Sequence, residues 1–185
     1  METLQGNFLI ATPQMPDPRF KKQVILICSH SNEGAMGLVI NQPSTYSLQE
    51  VISAAQISVD DGERQWPLIY TGGPVETQTA FFIYDSKYQN VSNYVAVHRG
   101  ICLSRDPEIL FDIARGVGPS KYLFILGYAG WAAGQLEAEL ATNGWLTLPG
   151  TSDILFDTPD EIKWKRAAEK FGIDISLFSD EAGNA

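Results

Sequence analysis

Only two histidines, His30 and His98, and two cysteines, Cys28 and Cys102, occur among the 185 residues. They fall as Cys28-x-His30 and His98-x-x-x-Cys102, which have the residue types of a zinc site. On a strand, residues 28 and 30 share a face and could offer two ligands to one ion. Structural zinc sites, however, usually separate paired ligands by about two to four residues on turns, and the second pair straddles Arg99-Gly100. The preferred reading is a buried cysteine on a core strand, with His30 at its exposed end. A cysteine nucleophile with a histidine base has no recognisable local setting. Gly-x-Ser-x-Gly, Walker A and Gly-x-Gly-x-x-Gly are all absent. Glu137 and Glu139, two apart on an expected helix, lie about 200° from one another and make a poor acid/base pair.

The unusual segment runs from Gly127 to Leu140. A buried strand ends there, a loop with glycines and two aromatics follows, and a helix opens near Gly134. Such a loop can present backbone amides at a helix N-terminus, the anatomy of an anion site. It also lets backbone approach a neighbour closely, since glycine has no Cβ. That neighbour is either a ligand or the protein's own sheet, with Trp131 packed as a lid on the core. Gly72-Gly73-Pro74 reads as a tight turn first and a binding loop second. The candidate ligand or partner surface is therefore Gly72, Gly73, Pro74, Gly127, Tyr128, Gly130, Trp131, Gly134, Gln135 and Glu137.

The elements that would position these residues follow from pattern. Gln5 to Ala11 reads as a first strand, and Pro13 to Pro18 forces a loop. Gln23 to His30 and Ala35 to Asn41 are apolar, β-branched runs joined by a short hairpin connection. Ser47-Leu48-Gln49-Glu50 is a capping box opening a helix. Trp66 to Tyr70, Ala80 to Tyr84, Tyr94 to Val97 and Gly100 to Leu103 read as further strands. Asp106-Pro107-Glu108 starts a helix with Leu110, Ile113, Ala114 and Val117 on one face. Lys121 to Leu126 is a strand, Gln135 to Ala141 a short helix, and Trp145 to Leu148 another strand. The last helix opens at Thr158-Pro159-Asp160-Glu161. Strands outnumber helices by about two to one, which favours α+β with a mostly antiparallel or mixed sheet.

Composition sets the limits. Apolar residues are 44% and charged residues 19%, as in globular chains and unlike disordered ones. A chain of this length buries about 70% of its unfolded surface and needs no disulfide or metal to fold. One domain spanning 1–185 is expected, with 173–185 partly a flexible tail. No apolar stretch is long enough for a membrane helix, and no signal peptide is visible, so a cytoplasmic location without membrane contact is expected. The net charge of −9 lacks the field needed for non-specific DNA binding. A local basic patch of Lys163, Lys165, Arg166 and Lys170 reads as one face of a solvated helix.

The ordered blocks resemble the YqgE/AlgH family of bacterial proteins. Gly127-Tyr-Ala-Gly-Trp131 running into Gly134-Gln-Leu-Glu137 carries the signature. Phe8-Leu-Ile-Ala11, Met15-x-Asp-Pro18 with Phe20, Ile27-Cys28-x-His30 and Gly34 to Asn41 with Pro43 agree in order. So do Gly72-Gly-Pro-Val75, Phe156-Asp157, Trp164 and Gly172-Ile-Asp174. The resemblance covers nearly the whole chain. It implies a pseudo-barrel of bent sheet flanked by about four helices, and brings no agreed enzymatic activity and no cofactor. A transcriptional-regulator label comes with it from a link to alginate production in one lineage, without a DNA-binding motif here. The family's Gly-aromatic-Val-Leu-His block departs to Ala80-Phe81-Phe82-Ile83-Tyr84, so a histidine role at Tyr84 is lost, a phenol having a pKa near 10.

The expected function is a regulatory or protein-interaction protein without catalysis, with a protein partner favoured over nucleic acid. The alternative is a small-molecule binder or enzyme using the Gly127–Glu137 segment. That alternative requires a concave pocket and a raised carboxylate pKa at Glu137.

Overall fold

The computed structural model describes residues 3–59, 64–142 and 144–174; most of the tail expected at 173–185 lies outside them. The apolar runs form strands β1 (Asn7–Ala11), β2 (Val24–Ser31) and β3 (Gly34–Val39). β4 (Pro43–Ser47) leads into α1 (Leu48–Ala54), whose capping box is present as expected. Then come β5 (Leu68–Thr71), β6 (Val75–Asp85), β7 (Val95–His98) and β8 (Ile101–Ser104). α2 (Glu108–Arg115), β9 (Tyr122–Ala132), α3 (Gln135–Ala141), β10 (Trp145–Pro149) and α4 (Asp160–Lys170) complete the order.

The strands form one sheet in the order β10-β1-β2-β3-β9-β6-β8-β7, with β4 on β5 and β5 on β9. Every pairing is antiparallel except β5 with β9. The sheet bends until its far edge returns to the start of the chain, where Gln5 Nε2 donates to Ala96 O at 3.2 Å. The expected α+β pseudo-barrel is the observed fold. Inside it lie Phe8, Leu26, Cys28, Leu38, Phe81, Ile83, Leu103 and Ile125. α1 and α2 cover the outer face of β5, β6, β8 and β9 through Leu48, Ile52, Ile109 and Ile113. α3 covers the opposite outer face, over Ile25, Ile27, Ala35, Trp131 and Trp145. No helix is long and apolar enough to cross a membrane among the described residues.

Several expectations need correction. The segment after Leu126 is not a loop: β9 continues to Ala132, pairing its last four residues with β3. The backbone stays extended because it finds a partner there, and Gly127, at φ 75°, bends it. β4 was not foreseen, since its polar residues give no apolar signal and its ladder to β5 is broken by a register shift. β6 begins at Val75, well before Ala80, because an irregular bulge still pairs Val75 with Tyr128. Val117 is 57% exposed, beyond the end of α2 at the left-handed Gly116. Thr158 does not cap α4 but donates back to Asp153 O at 3.0 Å, closing a π-helical turn over Asp153–Asp157.

Lys163 is the sharpest departure from the solvated-face reading of α4. Its ammonium is buried, donating to Ile40 O (2.9 Å), Leu155 O (3.2 Å) and Asp160 Oδ1 (2.9 Å). Three oxygens match the three N–H groups of an ammonium. This contact fastens α4 across the end of the barrel where β3 stops.

Candidate functional site

Two interruptions of strand alternation decide which side chains meet. In β2 the register slips between Ile27 and Ser29, so Ile27 and Cys28 together oppose Gly37. An extra residue in one strand reverses the faces of those after it. Cys28 therefore points into the barrel with Leu26, while His30, opposite Ala35, turns outward beneath α3. The same-face expectation for Cys28 and His30 fails for this reason. In β9 the left-handed Gly127 has the same effect. Leu123 and Ile125 face inward before it, and Ala129 and Trp131 face outward after it.

The two glycine segments are spent on each other. A Cβ on Gly73 would lie 2.2 Å from Tyr128 C, and one on Gly72 would lie 2.3 Å from Gly127 O. One on Gly127 would meet Gly73 O at 2.7 Å. Val39 N donates to Gly72 O at 2.9 Å and Gly72 N to Leu126 O at 2.8 Å, so backbone crosses backbone with its polar groups paired. Gly134, at φ 75°, has nothing within 4 Å of its would-be Cβ and serves only the turn into α3.

Beneath α3 the candidates are engaged. Trp131 and Trp145 stack edge to face at 6.4 Å and both donate to Glu139 Oε2 at 2.9 Å. Gln135 Oε1 accepts from Ala132 N at 3.0 Å, while its Nε2 donates to Glu139 Oε1 at 2.9 Å. His30, whose side chain is 2% exposed, accepts at Nδ1 from Leu4 N (3.0 Å). That leaves Nε2–H to donate to Glu137 Oε1 at 2.9 Å. The expectation of an exposed His30 side chain is thus corrected. Glu137 does not have the raised pKa of a general acid. Its own backbone amide first, and the His30 ring second, hold its carboxyl below the ordinary range.

The thiols are likewise quiet. Burial pushes Cys28 up to about 12 and raises Cys102, with Asp85 adding to the latter. A thiolate is the nucleophile and metal ligand, so these environments oppose both roles. Among the described residues no three His, Cys, Asp or Glu side chains gather as metal ligands. Tyr84, at the departed histidine position, is fully buried against Tyr88, and burial pushes its phenol up to about 12. The four basic residues of α4 do not form a free stripe. Besides buried Lys163, Lys165 and Arg166 flank Glu169, and Lys170 sits 2.5 Å from Asp153 Oδ2.

The concavity lies elsewhere, at the open end of the barrel. Residues from six strands converge on a cavity of about 460 Å³, within the usual size of ligand sites. Its apolar floor holds Cys28, Met36, Phe81 and Leu103, with Tyr128 on the wall and Gln5, Ser29, Glu76 and Val95 around the rim. Arg105, just past β8, holds its guanidinium 5.5 Å from the Phe81 ring centroid. It takes part in none of the ion pairs among the described residues. Glu76 has a left-handed backbone, φ 43°, in the β6 bulge, an uncommon conformation for a residue with a Cβ. A second, more open hollow of about 520 Å³ adjoins this one along the β2–β3 hairpin.

Of the expected surface, Tyr128 lines both hollows, Gly130 and Trp131 line the second, and Gly73 and Pro74 line a separate cleft beside Phe20. Sequence reasoning missed Met36, Glu76, Phe81, Leu103 and Arg105. Met36, Phe81 and Leu103 read as ordinary core, and only the curl of the sheet brings them to one end.

Residues 8–176 match the family model described as AlgH-like. A relative from Desulfotalea psychrophila (strain LSv54 / DSM 12343) is 43% identical over 184 residues, covering 99% of this chain and 95% of its own. One from Xylella fastidiosa (strain M23) is 43% identical over 183 residues, covering 99% and 97%. The solution structure of the AlgH protein from Pseudomonas aeruginosa superposes with a TM-score of 0.79 at 42% identity, covering 99% of this chain and 96% of that one. A crystal structure of a Corynebacterium diphtheriae protein shares the fold at 23% identity, with a TM-score of 0.75 over 97% and 93% of the two chains. With full-length relatives at this identity and a fold that agrees, the chain belongs to the AlgH-like family.

Proposed function

We propose that this chain is a regulatory protein that acts by binding, with the barrel mouth as its recognition site and a partner protein as what it engages. The observation that carries this reading is the convergence of six strands on an apolar-floored cavity with Arg105 at its rim. Ligand sites are concave and mostly apolar with a few convergent polar groups. The Gly127–Glu137 segment is a weaker candidate, because Gly127 is packed against backbone and the Trp131 indole and Glu137 carboxylate already have partners.

The test compares capture of lysate proteins by the native chain and by Ser29→Trp. Ser29 is exposed and lines both hollows, so an indole there obstructs the mouth without entering the core. Partners retained by the native chain and lost by Ser29→Trp support the mouth. Partners held equally by both locate recognition elsewhere and overturn it.

A further inference from the structure

The mouth cavity does not stop at its rim. It shares Ser29, Met36 and Tyr128 with the second hollow, so the two form one bent groove. The deep end has an apolar floor, with Phe81 and Leu103 below, and carries Arg105, its guanidinium 5.5 Å from the Phe81 ring centroid, and Glu76, whose Oε2 accepts from Thr79 Oγ1 at 3.0 Å. A guanidinium lying over a ring keeps its N–H edge available to a carboxylate. The shallow end carries Glu33 and is lined by Gly130, whose missing Cβ lets a chain lie close to the surface beside Tyr128 and Val75.

We propose that this groove receives the C-terminal end of a partner protein whose last residue is apolar. The last side chain fills the deep end, its free carboxylate meets Arg105, and the preceding residues run out along the hairpin beside Glu33. An anion, an apolar group and an onward continuation are the three things the groove is shaped to take, and a chain end supplies all three. A free amino acid or fatty acid supplies the first two and leaves the shallow end empty. The inference rests on the reading of the mouth as the recognition site and adds the chemistry of its occupant.

The experiment is fluorescence anisotropy with labelled hexapeptide pools, randomised upstream and ending in Leu, Phe or Asp, as free acids and as amides. The expected result is binding of the Leu- or Phe-ended acids, weakened at least about tenfold by amidation and by Arg105→Gln. Arg105→Lys retains part of it. Arg105 is exposed, so these variants keep the fold, and an unchanged melting temperature verifies that. Acid and amide binding alike, Asp-ended pools equalling Leu-ended ones, or free leucine competing as well as the peptides each overturn the occupant. So does the absence of binding by any free-acid pool at millimolar concentration. If Ser29→Trp loses its lysate partners while no pool binds the native chain, the occupant is wrong and the mouth stands. If the pools bind native and Ser29→Trp proteins equally, both readings fall.

Discussion

Trp131 and Trp145 aim their indole N–H groups at a single oxygen, Glu139 Oε2, each at 2.9 Å. Both indoles are at least nine-tenths buried, so one carboxylate satisfies two donors that solvent scarcely reaches. Glu139→Ala leaves both unpaired, and an unsatisfied buried donor costs about 1–3 kcal/mol. We expect Glu139→Ala to lower unfolding free energy by about 2 kcal/mol or more, and Glu139→Gln, which keeps an acceptor oxygen, by clearly less. Urea titration followed by tryptophan fluorescence measures both.

The glycine segments yield a paired prediction. Gly73→Ala sets a Cβ 2.2 Å from the Tyr128 backbone at a φ of 153°, and no flexible side chain can yield there. Its cost exceeds about 4 kcal/mol, at the diagnostic end for single substitutions. Gly134→Ala is strained only by φ 75° in open space and costs about 1–2 kcal/mol. Equal losses in the two variants would refute the backbone-crossing account; thermal melts of both proteins decide it.

Lys163→Met strands the carbonyls of Ile40 and Leu155 and removes one of two donors to Asp160, the other being Tyr70 Oη at 2.8 Å. Breaking a buried pair by deleting one partner costs about 3–5 kcal/mol. Burial holds the Lys163 pKa below its ordinary value, against the raising influence of Asp160. Denaturant midpoints for the native chain and Lys163→Met test the size of the effect.

Acid should act through Glu137. Its folded pKa lies below the ordinary value of 4.5, so its stabilising contribution is present above that value and disappears as pH falls through the folded pKa. Glu137→Gln is therefore less stable than the native chain at neutral pH, and the gap narrows once pH drops below the ordinary value. Urea midpoints of both proteins across the acid range follow this, and a pH-independent gap would contradict it.

The elements with local signals were legible: the apolar hairpin of β2 and β3, the capping box of α1, and the Asp106-Pro107 start of α2, where Asp106 Oδ1 accepts from Glu108 N at 3.0 Å. What escaped was set by long-range pairing. Period-2 reading assumes unbroken alternation, so it placed Cys28 and His30 on one face and could not anticipate the bulge between them. It also stopped β9 at Gly127, because a glycine-aromatic run looks like a loop unless a neighbouring strand is known to receive it. Arg105 carries no local mark at all; the ring beside its guanidinium belongs to β6, more than twenty residues away.

Gly127 also has a consequence for how the molecule comes apart. Along one edge β9 runs against β6, while its other edge passes from β5 to β3 at the bend. The ladders on either side of the barrel thus share this strand and cannot melt separately without severing it. Opening by independent subunits of structure is suppressed, and amide protons of Leu123 to Ile125 should exchange with deuterium only through global unfolding.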